Sequence, residues 1–242
     1  MNSRPDQWVI PAVAGGLTSV AAYVAGAIAI AGLPGTSASG AEVAVYAEEH
    51  RALLLSAVFI WGLAITASAV FAVGIWGALG GPKDHAAANL IGLVAAVTLI
   101  ALEFVAFAVL AALAFRPPLE AGDARLLADA FALTLSLAGL PAALWTAAAA
   151  WPALAQRQLR PWIPSLGLAS SVAHVVAAGS FARSGAFAPD GAPGLVAPAL
   201  IIAWTGALAV GLAARAGLPT PGGVRWLTLR RGQPDPTRAP RA

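Results

Sequence analysis

The chain has 242 residues, of which 59% are hydrophobic and only 10% are charged, and its mean hydropathy is +0.79. Soluble domains carry about 25% charged residues, so this composition excludes an ordinary soluble globular protein. The chain has no cysteine, which excludes disulfides, thiolate metal sites and cysteine nucleophiles. The net charge is +3, but most cations lie beside helix ends or near the C-terminus, which indicates membrane orientation rather than nucleic-acid binding.

Six apolar segments follow one another along the chain, and most exceed the roughly 20 residues that a spanning helix needs. Because little polar chain separates them, they predict an all-α fold, a polytopic transmembrane bundle of six helices that forms one domain over residues 1–214. Residues 215–242 are expected to form a basic cytoplasmic tail rich in Pro, Gly and Arg, and mostly disordered. The predicted helices cover about 8–31, 53–79, 86–115, 126–151, 162–181 and 195–214.

The first apolar segment, from Trp8 to about Ala31, has a second interpretation as a signal peptide, because small residues follow it at 37–40. However, its apolar run is longer than the usual signal-peptide core of about 7–15 residues. The preceding segment has a single cation, Arg4, which Asp6 balances. We therefore expect a retained helix.

Two polar stretches lie between predicted helices. Ser39 and Glu42 have the spacing of a capping box, which predicts a short helix from Ser39 to His50. The acidic and histidine side chains at 48–50 are adjacent and would point apart on a helix, so a solvated face is favoured over a metal site. The turn at 116–125 carries balanced charges and is interpreted as an exposed cap for two helices. Neither stretch predicts a metal or a cofactor.

The basic residues predict an orientation. In the six-helix arrangement, ten of the 14 Lys and Arg fall on one side of the membrane, which places both termini in the cytoplasm by the positive-inside rule. Tryptophans at 8, 76, 151 and 162 fall at the predicted cytoplasmic boundary, as an aromatic belt would. The ten are Arg4, Lys83, Arg157, Arg160, Arg215, Arg225, Arg230, Arg231, Arg238 and Arg241, and the other four are Arg51, Arg116, Arg125 and Arg183.

Glu103 interrupts the apolar run of the third predicted helix. A charged side chain near the bilayer centre costs roughly 2.5–3.5 kcal/mol on insertion scales, so such a residue is expected to face other helices or a cavity. At helical spacing, His85, Asn89, Gly92, Ala96 and Glu103 fall on one small and polar stripe. We expect that stripe to be buried in protein.

A second polar stripe lies on the fifth predicted helix, where Ser170, Ser171 and His174 recur at helical spacing. His174 and Glu103 could lie at similar depth. Two interpretations stay open. In one, the two line a cavity, as a proton relay or as a site for a polar head group, and Asn89, Ser170 and Ser171 are further candidates for ligand binding. In the other, an interhelical hydrogen bond, with Ser170, Ser171 or Asn89 as partner, sets the register of the bundle.

Several short stretches together form a pattern that is found in a known family. They are Ser39–Val43 through Tyr46, His50-Arg51, Leu53-Leu54, Leu159–Ile163, Leu166-Gly167 and Trp204. The chain resembles, over most of residues 8–214, a broad family of uncharacterised six-helix membrane proteins common in high-GC Gram-positive bacteria. The resemblance implies the six-helix topology, with no established activity.

Three functions remain open at this level. The protein could bind or carry a small lipophilic or amphiphilic molecule in a bundle cavity near Glu103. It could be a structural or interaction subunit with tightly packed helices and no ligand. It could be a membrane-embedded enzyme acting on a lipid or isoprenoid, with Glu103 and His174 as acid and base. The expected partners are membrane lipids, with a lipophilic ligand, a protein partner or a second copy as further options, in the plasma membrane and without a cofactor.

Overall fold

The computed structural model describes residues 6–79, 86–116, 118–155, 157 and 159–218. Over these residues the regular secondary structure is helical throughout, with seven helices and no strand, which confirms the predicted all-α class. The predicted tail at 215–242 lies outside the described residues from position 219 onward. The helices are α1 (Asp6–Ala29), α2 (Gly40–Glu49), α3 (Arg51–Ala78), α4 (Ala86–Phe115), α5 (Ala121–Ala155), α6 (Trp162–Ala178) and α7 (Ala192–Arg215).

Six of these helices form a ring in chain order. α1 packs against α3, α3 against α4, α4 against α5, α5 against α6 and α6 against α7, and α7 returns to α1. The short α2 lies outside the ring and packs on α5, α3 and α4. We call the end of the bundle that carries α2 the α2 end, and the opposite end, where α1 begins and α7 ends, the terminal end.

Two apolar clusters hold the ring together. At the terminal end, Val9 of α1 is buried in one cluster with Ile75 of α3 and Leu212 of α7. At the α2 end, Val43 of α2 is buried with Leu113 of α4 in the other. Because the start of α1 and the end of α7 share a cluster, these two helix ends lie at the same end of the bundle.

The contact between α1 and α3 depends on glycine. A methyl group on Gly15 would lie 2.7 Å from the backbone nitrogen of Phe71, and one on Gly74 would lie 2.5 Å from the backbone nitrogen of Ala12. Small residues allow membrane helices to approach backbone to backbone. The two glycines therefore set the distance between α1 and α3.

The predicted short helix is present as α2, and both hydrogen bonds of its capping box form. The Glu42 backbone N–H donates to the Ser39 hydroxyl at 3.2 Å, and the Ser39 backbone N–H donates to the Glu42 carboxylate at 2.6 Å. The bonds from Ser39 lower the pKa of Glu42 from its usual value. His50 then joins α2 to α3, since it ends one helix and precedes the other.

Five helices, α1, α3, α4, α5 and α7, are long and apolar enough to cross a bilayer. This supports a multi-pass membrane protein. α6 is also apolar but has only 17 residues. The exposed faces are apolar, as on α4, where Val94 is 58% and Val105 53% exposed.

The helix boundaries differ modestly from those predicted. α4 covers the predicted 86–115, whereas α5 extends beyond the predicted 126–151 at both ends and contains Pro141 and Pro152. α6 ends at Ala178 rather than 181, because Gly179 caps the helix and the chain then turns. The other helices shift by two or three residues at most at either end.

Candidate functional site

A cavity of about 540 Å³ lies inside the helix ring, and all six ring helices line it. Its volume falls within the roughly 300–1,000 Å³ of small-molecule sites. Along α4 it reaches from Ala96 to Leu113, which is about 25 Å of helix. Small residues on the inner faces leave this space open, among them Ala96, Ala128, Ala132, Ala138, Gly139 and Ala142.

Aromatic side chains close the cavity toward the terminal end. Phe71 of α3 and Trp145 of α5 line the cavity, and each packs edge to face on Trp204 of α7, with ring centroids 6.5 and 6.2 Å apart. Trp204 is only 1% exposed. Aromatic pairs of this geometry contribute beyond their buried area, so the three rings form a well-packed floor.

A hydrogen-bonded pair, Tyr23 and Glu103, lies on the cavity wall. The Tyr23 hydroxyl of α1 donates to Glu103 Oε2 of α4 at 2.6 Å. Both side chains are half-buried and both line the cavity. One turn before Tyr23, the Ser19 hydroxyl lies 2.7 Å from the Ser68 hydroxyl of α3. Four polar side chains from α1, α3 and α4 thus meet inside the ring.

Aromatic rings flank this polar cluster toward the α2 end. Trp61 of α3 stacks on Phe107 of α4 at a centroid distance of 4.5 Å, and Phe107 contacts Phe131 of α5 at 6.0 Å. The Trp61 indole N–H also donates to the Tyr23 carbonyl at 3.4 Å. Since Phe107 follows Glu103 by one helical turn, the carboxyl group lies beside a continuous aromatic wall.

His174 of α6 lines the same cavity. Its Nδ1 lies 2.8 Å from the Ser170 carbonyl and 3.3 Å from the Ser170 hydroxyl. A carbonyl oxygen only accepts hydrogen bonds, so Nδ1 carries a hydrogen and donates it. The hydrogen bonds of Glu103 and His174 therefore go to different partners, although both side chains border the same space.

The other residues singled out from the sequence lie elsewhere. The Ser171 hydroxyl donates to the Ala143 carbonyl of α5 at 2.9 Å, an interhelical bond of the kind expected for bundle register. Ser170 is fully buried beneath His174. Asn89 lines a separate space of only about 20 Å³ near the terminal end. The predicted α4 stripe is buried in protein at Gly92 and Ala96, and its first member, His85, lies outside the described residues.

The α2 end of the cavity is polar, and Arg125 of α5 organises it. Arg125 forms an ion pair with Asp129 one turn later. It also donates to the Thr36 carbonyl at 2.6 Å and to the Ala38 carbonyl at 2.7 Å. The interpretation of this turn as an exposed cap is therefore wrong for Arg125, because its half-buried guanidinium lines the cavity.

The loop between α6 and α7 is bonded to the same segment. The Thr36 backbone N–H donates to Asp190 Oδ2 at 3.0 Å, and its hydroxyl donates to Asp190 Oδ1 at 2.6 Å. These bonds from Thr36 lower the pKa of Asp190 from its usual value, and the nearby Arg125 adds to the effect. Through Thr36, the α1–α2 loop is bonded both to α5 and to the α6–α7 loop.

Sequence reasoning missed Tyr23 and the aromatic wall. Ser19 and Tyr23 stand four residues apart in an otherwise apolar segment, a signal that does mark a polar face on α1. Trp61, Phe107 and Phe131 resemble ordinary core residues, and no local pattern separates them from other aromatic residues. Only the ring arrangement shows that they share a cavity wall.

No family model matches this chain, and neither a curated protein nor a solved structure matches it. Among the residues that the structure describes, no group of three or more His, Asp or Glu side chains is placed to hold a metal ion. The cavity and its polar groups are therefore the features that indicate a function.

Proposed function

We propose that this protein binds or carries a small lipophilic or amphiphilic molecule inside its helix ring. The observation that supports this is the 540 Å³ cavity with the Tyr23–Glu103 pair on its wall. A mostly apolar wall with a few convergent polar groups is typical of small-molecule sites. A purely structural subunit would be expected to have tightly packed helices, and nothing in such a role calls for a carboxyl group beside open space.

The proposal includes a topology of six membrane crossings, with α6 as the sixth span. α6 is about 25 Å long, close to the lower limit of a spanning helix. An even number of crossings agrees with the start of α1 and the end of α7 lying at one end of the bundle. The charge distribution supports cytoplasmic termini in a plasma membrane, and the resemblance to six-helix proteins of high-GC Gram-positive bacteria supports the same topology.

Native mass spectrometry of the mildly solubilised protein tests the binding proposal. Ala132 lines the cavity, so an Ala132→Phe variant would fill part of the space. Its matched control is Leu133→Phe, because Leu133 is the next residue on α5 and is 40% exposed on the outside. We expect a stoichiometric adduct on the wild type and on Leu133→Phe, and loss of the adduct from Ala132→Phe.

The outcome of this experiment is decisive in either direction. An adduct lost only from Ala132→Phe would locate the molecule in the cavity and give its mass. An adduct retained by Ala132→Phe would place it on the surface. A wild-type protein that carries no adduct, and takes up none from a total lipid extract, would contradict the proposal.

A further inference from the structure

We infer that the molecule bound in this cavity is a lipophilic cation, and that its positive charge pairs with Glu103. The inference rests on the proposed function, because it assigns a ligand class to the same cavity. Three observations carry it: the charges that line the cavity, the hydrogen bonds of Glu103, and the aromatic rings beside it.

The charged side chains of the cavity leave an excess of acid. Among the described lining residues, three are carboxylic acids, Glu103, Asp129 and Asp190, and one is an arginine, Arg125. Arg125 already forms an ion pair with Asp129 and donates hydrogen bonds to loop carbonyls at the α2 end. Ten residues, or about 15 Å of α4, separate Glu103 from Leu113 near that end. The described lining has no arginine or lysine at the depth of Glu103, and its histidine, His174, bonds through Nδ1 to Ser170 in its own helix.

The carboxyl group of Glu103 is incompletely satisfied by the residues that the structure describes. A carboxylate offers two oxygens with about four acceptor positions. Glu103 accepts one hydrogen bond, from Tyr23 to Oε2. The group borders open cavity space, where a ligand cation would supply the missing charge and donor.

The neighbouring wall suits a cation with apolar substituents. Tyr23, Trp61, Phe107 and Phe131 all line the cavity, and Phe107 lies one helical turn from Glu103. Aromatic faces attract a cation within about 6 Å of the ring centroid, most strongly in a desolvated site. For an anion, the one arginine of the described lining, Arg125, is already paired with Asp129. Deeper in the cavity the anion would lie beside the acidic Glu103. A neutral molecule without a hydrogen-bond donor would leave the remaining acceptor positions of the Glu103 carboxyl group unfilled.

The test compares probes of similar shape and different charge on the protein in nanodiscs, with empty nanodiscs subtracted. The probes are tetraphenylphosphonium as cation, triphenylphosphine oxide as neutral molecule and tetraphenylborate as anion. We expect the wild type to prefer the cation. Removing one partner of a buried charge pair commonly weakens binding by about 30-fold or more, and we expect that loss for the cation in Glu103→Gln. Glu48→Gln is the matched control, because Glu48 is exposed on α2.

The wild-type comparison keeps the inference falsifiable if Glu103→Gln fails to fold. Equal binding of cation and neutral probe, or preference for the anion, would overturn the ligand class while leaving the cavity proposal intact. Failure of the cation to bind would overturn it as well. Failure of the proposed function is recognised separately, by the absence of any adduct in native mass spectrometry. Ala132→Phe should also weaken binding of the cationic probe. That loss distinguishes binding in the cavity from partition of the probe into lipid.

Discussion

Tyr23 and Glu103 are joined by a 2.6 Å hydrogen bond although they lie 80 residues apart and on helices that are not neighbours in the ring. α3 stands between α1 and α4 in the ring order, so the bond connects them on the inner side of α3. One polar contact therefore ties two helices together and sets the position of the only glutamate that lines the described cavity wall.

Tyr23→Phe should destabilise the bundle, because Glu103 loses the hydroxyl that donates to it. Interhelical hydrogen bonds in membrane proteins contribute about 0.6 kcal/mol on average and about 1.7 kcal/mol at most, and we expect a loss within that range. Equilibrium unfolding in mixed micelles measures it. Tyr46→Phe is the control, since Tyr46 stacks on His50 and its ring is retained. Equal effects of the two variants would show that the bond to Glu103 contributes nothing.

Ser171→Ala should cost about 0.6 kcal/mol of unfolding free energy, because it removes the bond to the Ala143 carbonyl between α6 and α5. Ligand binding should be unchanged, since Ser171 does not line the cavity. Ser165→Ala, which replaces an exposed serine near the start of α6, should not lower stability. A Ser171→Ala variant that loses the ligand at unchanged stability would assign Ser171 to the binding site instead.

Gly15→Ala should destabilise the protein, because the new methyl group would lie 2.7 Å from the Phe71 backbone nitrogen and 2.8 Å from the Ala67 carbonyl. Backbone atoms can relieve such contacts only if α1 and α3 move apart. Gly62→Ala is the matched control, since nothing lies within 4 Å of its added methyl group. Because alanine is the better helix former, the free energy of unfolding of the control should rise by up to about 1 kcal/mol. Parallel shifts of melting temperature in the two variants would contradict close α1–α3 packing.

The contact between Thr36 and Asp190 should weaken at acidic pH. The pKa of Asp190 is lower in the folded protein than in the unfolded chain, chiefly because of its bonds from Thr36. The stabilisation that Asp190 contributes is therefore fully present at pH values above its pKa in the unfolded chain, about 3.9. It is lost as the pH falls through the lower pKa of the folded protein. Amide hydrogen exchange at residues 33–38, corrected for intrinsic rates, measures this loss.

In Asp190→Asn the same amides should exchange faster at neutral pH, and lowering the pH should have little further effect. Asp123→Asn, an exposed carboxylate at the start of α5, provides the control. Protection at 33–38 that does not change between neutral and acidic pH in the wild type would show that Asp190 does not hold this loop.

The orientation and three of the six proposed crossings can be checked with single thiols, because the chain has no cysteine. Ser37→Cys places a thiol at the α2 end, and Arg157→Cys places one near the terminal end, both at exposed positions. In intact cells, a membrane-impermeant maleimide should label position 37 at once and position 157 only after permeabilisation. The reverse result would invert the orientation, and labelling of both from outside would contradict the three crossings, by α3, α4 and α5, between the two positions.

Local pattern was sufficient for much of the fold. The long apolar run of α4 predicted its bounds, 86–115, and helical periodicity predicted that the Gly92 and Ala96 face is buried in protein. The capping box at Ser39 and Glu42 predicted α2. Each of these features depends on residues within a few turns of one another.

The site was less accessible to sequence reasoning. Glu103 and His174 were found because an ionisable residue inside an apolar helix is itself a signal. Their hydrogen-bond partners depend on which helices come together: Tyr23 reaches Glu103 across the ring, while His174 bonds to Ser170 in its own helix. Arg125 looked like a surface charge because nothing in its own segment shows that the Thr36 loop covers it.

The sequence by itself determined that this is a helical, multi-pass membrane protein with an acidic group inside one of its helices. Those properties follow from the length of apolar runs and the high cost of placing charge in lipid. Only the tertiary structure decided that six helices close into a ring, that small inner residues leave a cavity, and that Tyr23 and aromatic rings surround Glu103. These depend on contacts between distant segments, and in a chain so rich in alanine, glycine and leucine many alternative pairings have nearly the same local pattern.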